Sequence, residues 1–88
     1  MSPVVFRHRG FRFLFYANEG NPREPVHIHA VKDGVDSKFW LWPEVLLAYN
    51  DGHDARTIRQ LAEIALARRD EIRTVWDEFF READGRSL

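Results

Sequence analysis

The chain has 88 residues, no cysteine, and a formal net charge of −1 from 13 basic and 14 acidic residues. That length suits one small domain with a thin core, and the missing thiol excludes disulfides, thiolate metal sites and cysteine catalysis. The near-neutral balance gives no global field for nucleic acid or membrane, so any such attraction has to be local.

One local excess opens the chain: Arg7, Arg9, Arg12 and His8 fall in the first twelve residues without an acid. No apolar run is long enough for a membrane span, and the start lacks a signal-peptide pattern, so a cytoplasmic protein with no membrane contact is expected. Seven Phe and three Trp must supply much of the core, because large rings bury the most area.

Residues 4–7 and 11–17 read as strands of near-alternating polarity, with Arg9-Gly10 as the tight turn between them. This register sets Phe6 against Phe13 and Val4 against Phe15 on the core face, and Arg7 against Arg12 on the other. A like-charge pair directly opposed across two strands is unfavourable unless solvated or holding an anion. Residues 18–25 concentrate Asn, Gly and Pro and read as a surface loop.

Residues 26–31 form a third strand, Asp33-Gly34 a second hairpin turn, and residues 38–42 a fourth strand ended by Pro43. Trp40 and Trp42 alternate there with Phe39 and Leu41, so both faces are apolar, as in a strand flanked on both sides. Pro43 and Glu44 then suit the start of a short helix through Val45, Leu46, Leu47 and Tyr49, closed by Gly52. Asp54 is placed to cap a long helix over residues 54–81, whose stripe is Ile58, Leu61, Ala65, Ile72, Val75, Trp76 and Phe79.

The expected fold is therefore α+β: a four-stranded antiparallel meander of two hairpins, followed by a short and a long helix packed on one face. A single domain over residues 1–88 is expected, with the sheet in 3–42, the helical part in 43–83 and a frayed tail in 84–88.

Val5-Phe6, Phe11-Arg12-Phe13, Asn18-Glu19, His27-Ile28-His29, Lys38-Phe39-Trp40-Leu41 with Pro43, and the late Trp76 together resemble the bacterial domain of unknown function 4160. The resemblance runs over nearly the whole chain, most specifically at the paired histidines and the Lys-Phe-Trp-Leu strand. It implies a small stand-alone protein encoded beside another, a toxin-like component of a two-gene toxin-antitoxin module. It implies a cognate small antitoxin-like partner, and leaves RNA and a second copy of the chain as further candidates.

Two residues apart on one strand, His27 and His29 leave the same face with Cα atoms about 6.5–7 Å apart. Such a pair can act as acid and base on a phosphodiester without a metal, because each imidazole titrates near neutrality. With Asp33-Gly34 as the turn, Lys38 falls opposite His29 and Trp40 opposite His27. These positions make His27, His29 and Lys38 the catalytic candidates on an open, exposed sheet face.

The plainer alternative is one polar face of a half-solvated sheet, or two histidines bonded to nearby backbone. A metal site needs further ligands, and His8, His53, Glu19, Glu24 and Asp36 stand at no recognisable spacing, so neither metal nor cofactor is expected. Binding candidates are Arg7, Arg9 and Arg12, whose guanidinium forks suit oxyanions, and Trp40 as an interface anchor. Their alternatives are a solvated hairpin tip and a core ring.

No Ser, Thr or Cys nucleophile motif, Gly-rich phosphate loop or zinc-finger pattern is present. Whether the chain is an enzyme stays open. A non-catalytic protein-interaction domain using the open sheet face is the other reading.

Overall fold

The computed structural model describes residues 3–17 and 23–85. The fold is α+β, with strands β1 (Val4–His8), β2 (Phe11–Leu14), β3 (His27–Lys32), β4 (Val35–Trp40) and β5 (Leu46–Asn50) ahead of helices α1 (Ala55–Ala67) and α2 (Arg69–Gly85). All strands pair antiparallel with their neighbours in sequence order, giving a five-stranded meander.

Both hairpin turns form where expected. Arg9 and Gly10 have φ of 50° and 84°, and Asp33 and Gly34 of 54° and 78°, two successive left-handed residues whose twist matches the flanking strands. The first turn sets Phe6 opposite Phe13 and Arg7 opposite Arg12. Beyond them the register shifts, so Val4 meets Leu14 rather than Phe15. Phe15, whose amide donates to the Pro3 carbonyl, is fully buried in a separate cluster with Trp76 and Phe80. The second turn pairs His27 with Trp40 and His29 with Lys38, as the sequence predicts.

The short helix after Pro43 does not form. Residues 46–50 are instead the fifth strand, the Trp42–Pro43 peptide is cis, and the sheet extends to Asn50 rather than ending at 42. The added strand flanks β4 on its second side, in keeping with a β4 that is apolar on both faces. Asn50 anchors its end: Oδ1 accepts from the buried Ser37 hydroxyl at 2.8 Å and from the Gly52 and His53 amides, while Nδ2 donates to the His53 carbonyl.

The expected single helix over 54–81 is two helices that meet at Arg68. Asp54 caps the first through Oδ1, which accepts from the Thr57 amide at 2.8 Å. Arg68 has φ −115° and ψ 17° and closes α1 by donating its amide to the Ile64 carbonyl. Asp70 and Glu71 occupy the first turn of α2, where acids complement the helix dipole. That helix runs on to Gly85, past the expected start of a frayed tail at 84, and 86–88 lie outside the described residues, as do 18–22 of the loop expected over 18–25.

Two clusters make the core. Phe6 and Phe13 stack at 4.5 Å and, with Ile28, Ala30, Phe39 and Leu41, receive Leu61, Ala65 and Ile72 from the helices. Phe15, Trp76 and Phe80 form the second cluster at the end of the sheet. In the helical stripe Ile58, Val75 and Phe79 are half-buried, and Phe80, absent from that stripe, is buried.

Candidate functional site

Strand alternation places Phe13, Ala30 and Phe39 toward α1 and Arg7, Arg12, His27, His29, Lys38 and Tyr49 on the opposite face. The paired histidines do point together, with ring centroids 5.2 Å apart. Their expected exposure is corrected: His27 is 0% and His29 1% exposed, and Lys38 is buried as well. The cause is aromatic cover on the face away from α1. Tyr16 stands 4.4 Å from His29, Trp40 stands 5.5 Å from His27, and Trp76 reaches His27 at 4.9 Å from α2.

The hydrogen bonds fix what each ring does. His27 Nδ1 lies 2.9 Å from the Pro25 carbonyl, which can only accept, so Nδ1 carries the proton and donates. His29 Nδ1 lies 3.0 and 3.2 Å from the two oxygens of Asp36. A carboxylate likewise only accepts, so His29 also donates through Nδ1. The Tyr49 hydroxyl donates to Asp36 Oδ2 at 2.7 Å and sits 3.2 Å from His29 Nδ1. Burial, then the hydrogen bond and negative charge of Asp36, hold the Tyr49 phenol well above its ordinary value, so it stays a neutral donor.

Lys38 is committed within the fold. Its Nζ donates to Glu24 Oε1 at 2.7 Å and lies 4.4 Å over the Trp40 ring. The same Glu24 oxygen stands 3.9 Å from His27 Nδ1. Trp40 is thus half-buried between Lys38 and His27. Arg7, Arg9 and Arg12 are exposed, and none is in an ion pair among the described residues.

The structure therefore brings His27, His29, Lys38 and Trp40 into one buried network and leaves the three arginines apart from it at the β1–β2 tip. Asp36, Glu24, Tyr16 and Tyr49 complete the network. Asp36 was legible, since the Asp33-Gly34 register puts it diagonal to His29 on the same face; Tyr49 was not, because its segment reads as helix. Among the described residues no three His, Asp or Glu side chains are grouped to hold a metal, and no helix is long and apolar enough to cross a membrane.

A second surface was missed altogether. All five residues of β5 are exposed, with Leu46 at 50%, Leu47 at 46% and Tyr49 at 40%. Beside it Val45, Ala62 and Leu66 line a shallow groove of about 360 Å³, rimmed by Glu44, Arg59 and Glu63.

A buried polar network on one face of a small α+β meander, with an open apolar strand at the edge, defines the class of domain. Residues 10–77 match the family described as Domain of unknown function (DUF4160); this spans more than half of the chain, which belongs to that family. No curated protein and no solved structure matches the chain.

Proposed function

We propose that this chain is a non-catalytic protein-binding module that takes its partner at the β5 edge. In the two-gene toxin-antitoxin setting that the family resemblance implies, the chain is the toxin-like component and the partner its cognate antitoxin-like protein. The observation that carries the reading is β5 itself, an edge strand with every residue exposed.

An edge strand offers unpaired amides and carbonyls to an incoming strand, and proteins usually close such edges with charges or cover. One bulge interrupts the pairing of β5 with β4, but none of Leu46, Leu47, Ala48, Tyr49 and Asn50 is charged. The occupant is an extended segment with apolar side chains at alternate positions. Main-chain bonds to β5 supply affinity, and contacts with Leu46, Leu47 and the Val45–Leu66 groove supply selectivity.

A ribonuclease role for His27 and His29 is the weaker reading. Neither ring is exposed, and both Nδ1 protons are engaged within the fold, so a substrate would have to displace aromatic cover to reach an imidazole.

Co-purification with the product of the neighbouring gene tests the proposal. Leu46→Lys, Leu47→Lys and Ala48→Pro are expected to abolish the complex while the isolated chain keeps its circular dichroism. Undiminished affinity in all three sinks it, and dimerisation of the chain alone, lost in the same variants, reassigns the edge to a second copy. Growth arrest on expression that survives His27→Ala with His29→Ala supports action by binding; arrest lost in that folded double variant restores the acid-base reading.

A further inference from the structure

The sharpest electrostatic anomaly lies at the other edge of the sheet, where Arg7 and Arg12 are direct cross-strand partners. His8 and Phe11 flank the two-residue turn, and in such a hairpin the flanking pair is hydrogen-bonded. Pairs alternate, so Arg7 and Arg12 are a non-hydrogen-bonded pair, the kind with Cα atoms only about 4.5 Å apart and side chains closest. Two cations held that way repel and weaken the hairpin.

Among the described residues no acid relieves this. The chain has 14 acidic residues and uses them beside other cations, as in Arg68–Glu71, Arg73–Asp77 and Lys38–Glu24, yet neither Arg7 nor Arg12 is in an ion pair among the described residues. Asp36, the acid in the same cross-strand row, is taken by His29 and Tyr49. Arg9 adds a further cation in the turn itself, while Lys32 reaches the turn from the α1-facing side, its Nζ 5.2 Å over the Phe11 ring.

We propose that Arg7 and Arg12 form a clamp for a phosphate oxyanion. Guanidinium forks match tetrahedral oxyanions and donate to them in pairs, so one phosphate between the two side chains turns their repulsion into a shared attraction. The rigid hairpin presents both forks on one face, and Arg9 adds to the field at its tip. The ligand is a phosphate group, carried as a free phosphate or as a phosphodiester of single-stranded nucleic acid. The clamp stands independently of partner binding at β5, which lies at the opposite edge of the sheet.

The test is thermal denaturation of the full chain in phosphate against chloride at matched ionic strength. Alongside it, the arginine Nε–H resonances are followed during titration with inorganic phosphate and then with a short single-stranded oligonucleotide. Phosphate is expected to raise the midpoint by about 1–6 °C and to shift the Arg7 and Arg12 resonances. Arg7→Gln and Arg12→Gln each lose that response, while Arg56→Gln on α1 keeps it. Response to inorganic phosphate alone assigns a free phosphate; oligonucleotide binding that weakens steeply with salt and is lost in both variants assigns a phosphodiester. No response in the parent chain, or a response equally reduced by Arg56→Gln, overturns the clamp.

Discussion

His29 is hydrogen-bonded to Asp36 at 3.0 Å, across the β3–β4 hairpin and along its diagonal. Its direct cross-strand neighbour is Lys38, but Lys38 turns to Glu24 and Trp40 instead. The imidazole N–H thus meets an acceptor, which is what permits it to be buried. Truncating Asp36 to Ala leaves a buried ring donor short of its acceptor, and a loss of about 1–3 kcal/mol is expected. Tyr49→Phe removes a bond to the same carboxylate and is expected to cost about 0.5–1.5 kcal/mol. Because both act on one carboxylate, the double variant should fall short of the sum. Denaturant titration of all four chains checks this; strict additivity would show that the three groups do not act as one network.

Tyr49 also sets a limit at alkaline pH. Its phenol is held above the ordinary value of 10.0 by burial and by Asp36. In the unfolded chain it ionises near 10, whereas the folded chain keeps it protonated. The stabilisation is fully present below pH 10 and declines as pH rises above it, because the unfolded state then gives up the proton first. Unfolding midpoints measured from neutrality to beyond pH 10 should therefore fall more steeply in the parent than in Tyr49→Phe. Parallel curves would show that the phenol is not held by the fold.

The two hairpins and the register of β3 on β4 were legible because Arg9-Gly10 and Asp33-Gly34 each combine turn residues with flanking alternation, a local signal that fixes pairing. The paired histidines could be located but their burial could not. The rings that cover them come from Tyr16, Trp40 and Trp76, and the last arrives from a helix remote in sequence. β5 was misread because Val45-Leu46-Leu47-Ala48-Tyr49 is a short apolar run with no period of its own, and only the vacant side of β4 decides that it is a strand. The helix break at Arg68 has no Gly or Pro to mark it, but Asp70 and Glu71 are the acids of a new first turn and were the available clue.

Asn50 gives that tertiary decision a local anchor. Its side chain receives the Ser37 hydroxyl and two backbone amides and donates to the His53 carbonyl. Asn50→Ala leaves the fully buried Ser37 hydroxyl without this acceptor, and about 1–3 kcal/mol is expected to be lost. Amide hydrogen exchange should quicken selectively along β5 and the turn into α1. Exchange that quickens uniformly, or not at all, would show that β5 is held by strand pairing alone.

At acid pH the cap of α1 gives way. The Thr57 amide, donating to the Asp54 carboxylate, lowers that carboxyl below its ordinary value of 3.8. A depressed folded pKa contributes stability above the unfolded value and loses it as pH falls from about 3.8 toward the folded one. Asp54→Asn keeps a capping oxygen without the charge, so its stability should change less across that window. An identical acid limb in parent and variant would place the acid sensitivity elsewhere.

Trp76 ties α2 to two parts of the sheet that are distant from it in sequence. Its ring lies 4.9 Å from Phe15 after β2, 4.6 Å from Phe80 on α2 and 4.9 Å from His27 at the start of β3, and it is 2% exposed. Truncation to Ala removes the centre of the second core cluster and one wall around His27, and a loss of about 3–5 kcal/mol is expected. Trp76→Phe retains a ring and should lose markedly less. Since His27 is covered partly by this ring, Trp76→Ala should also expose it, which the pH dependence of the His27 ring-proton shifts and its reactivity toward diethyl pyrocarbonate would report. An unchanged unfolding midpoint in Trp76→Ala would mean that α2 does not close the end of the sheet. A large loss of stability with His27 still unreactive would assign the cover of that imidazole to Trp40 and its neighbours instead.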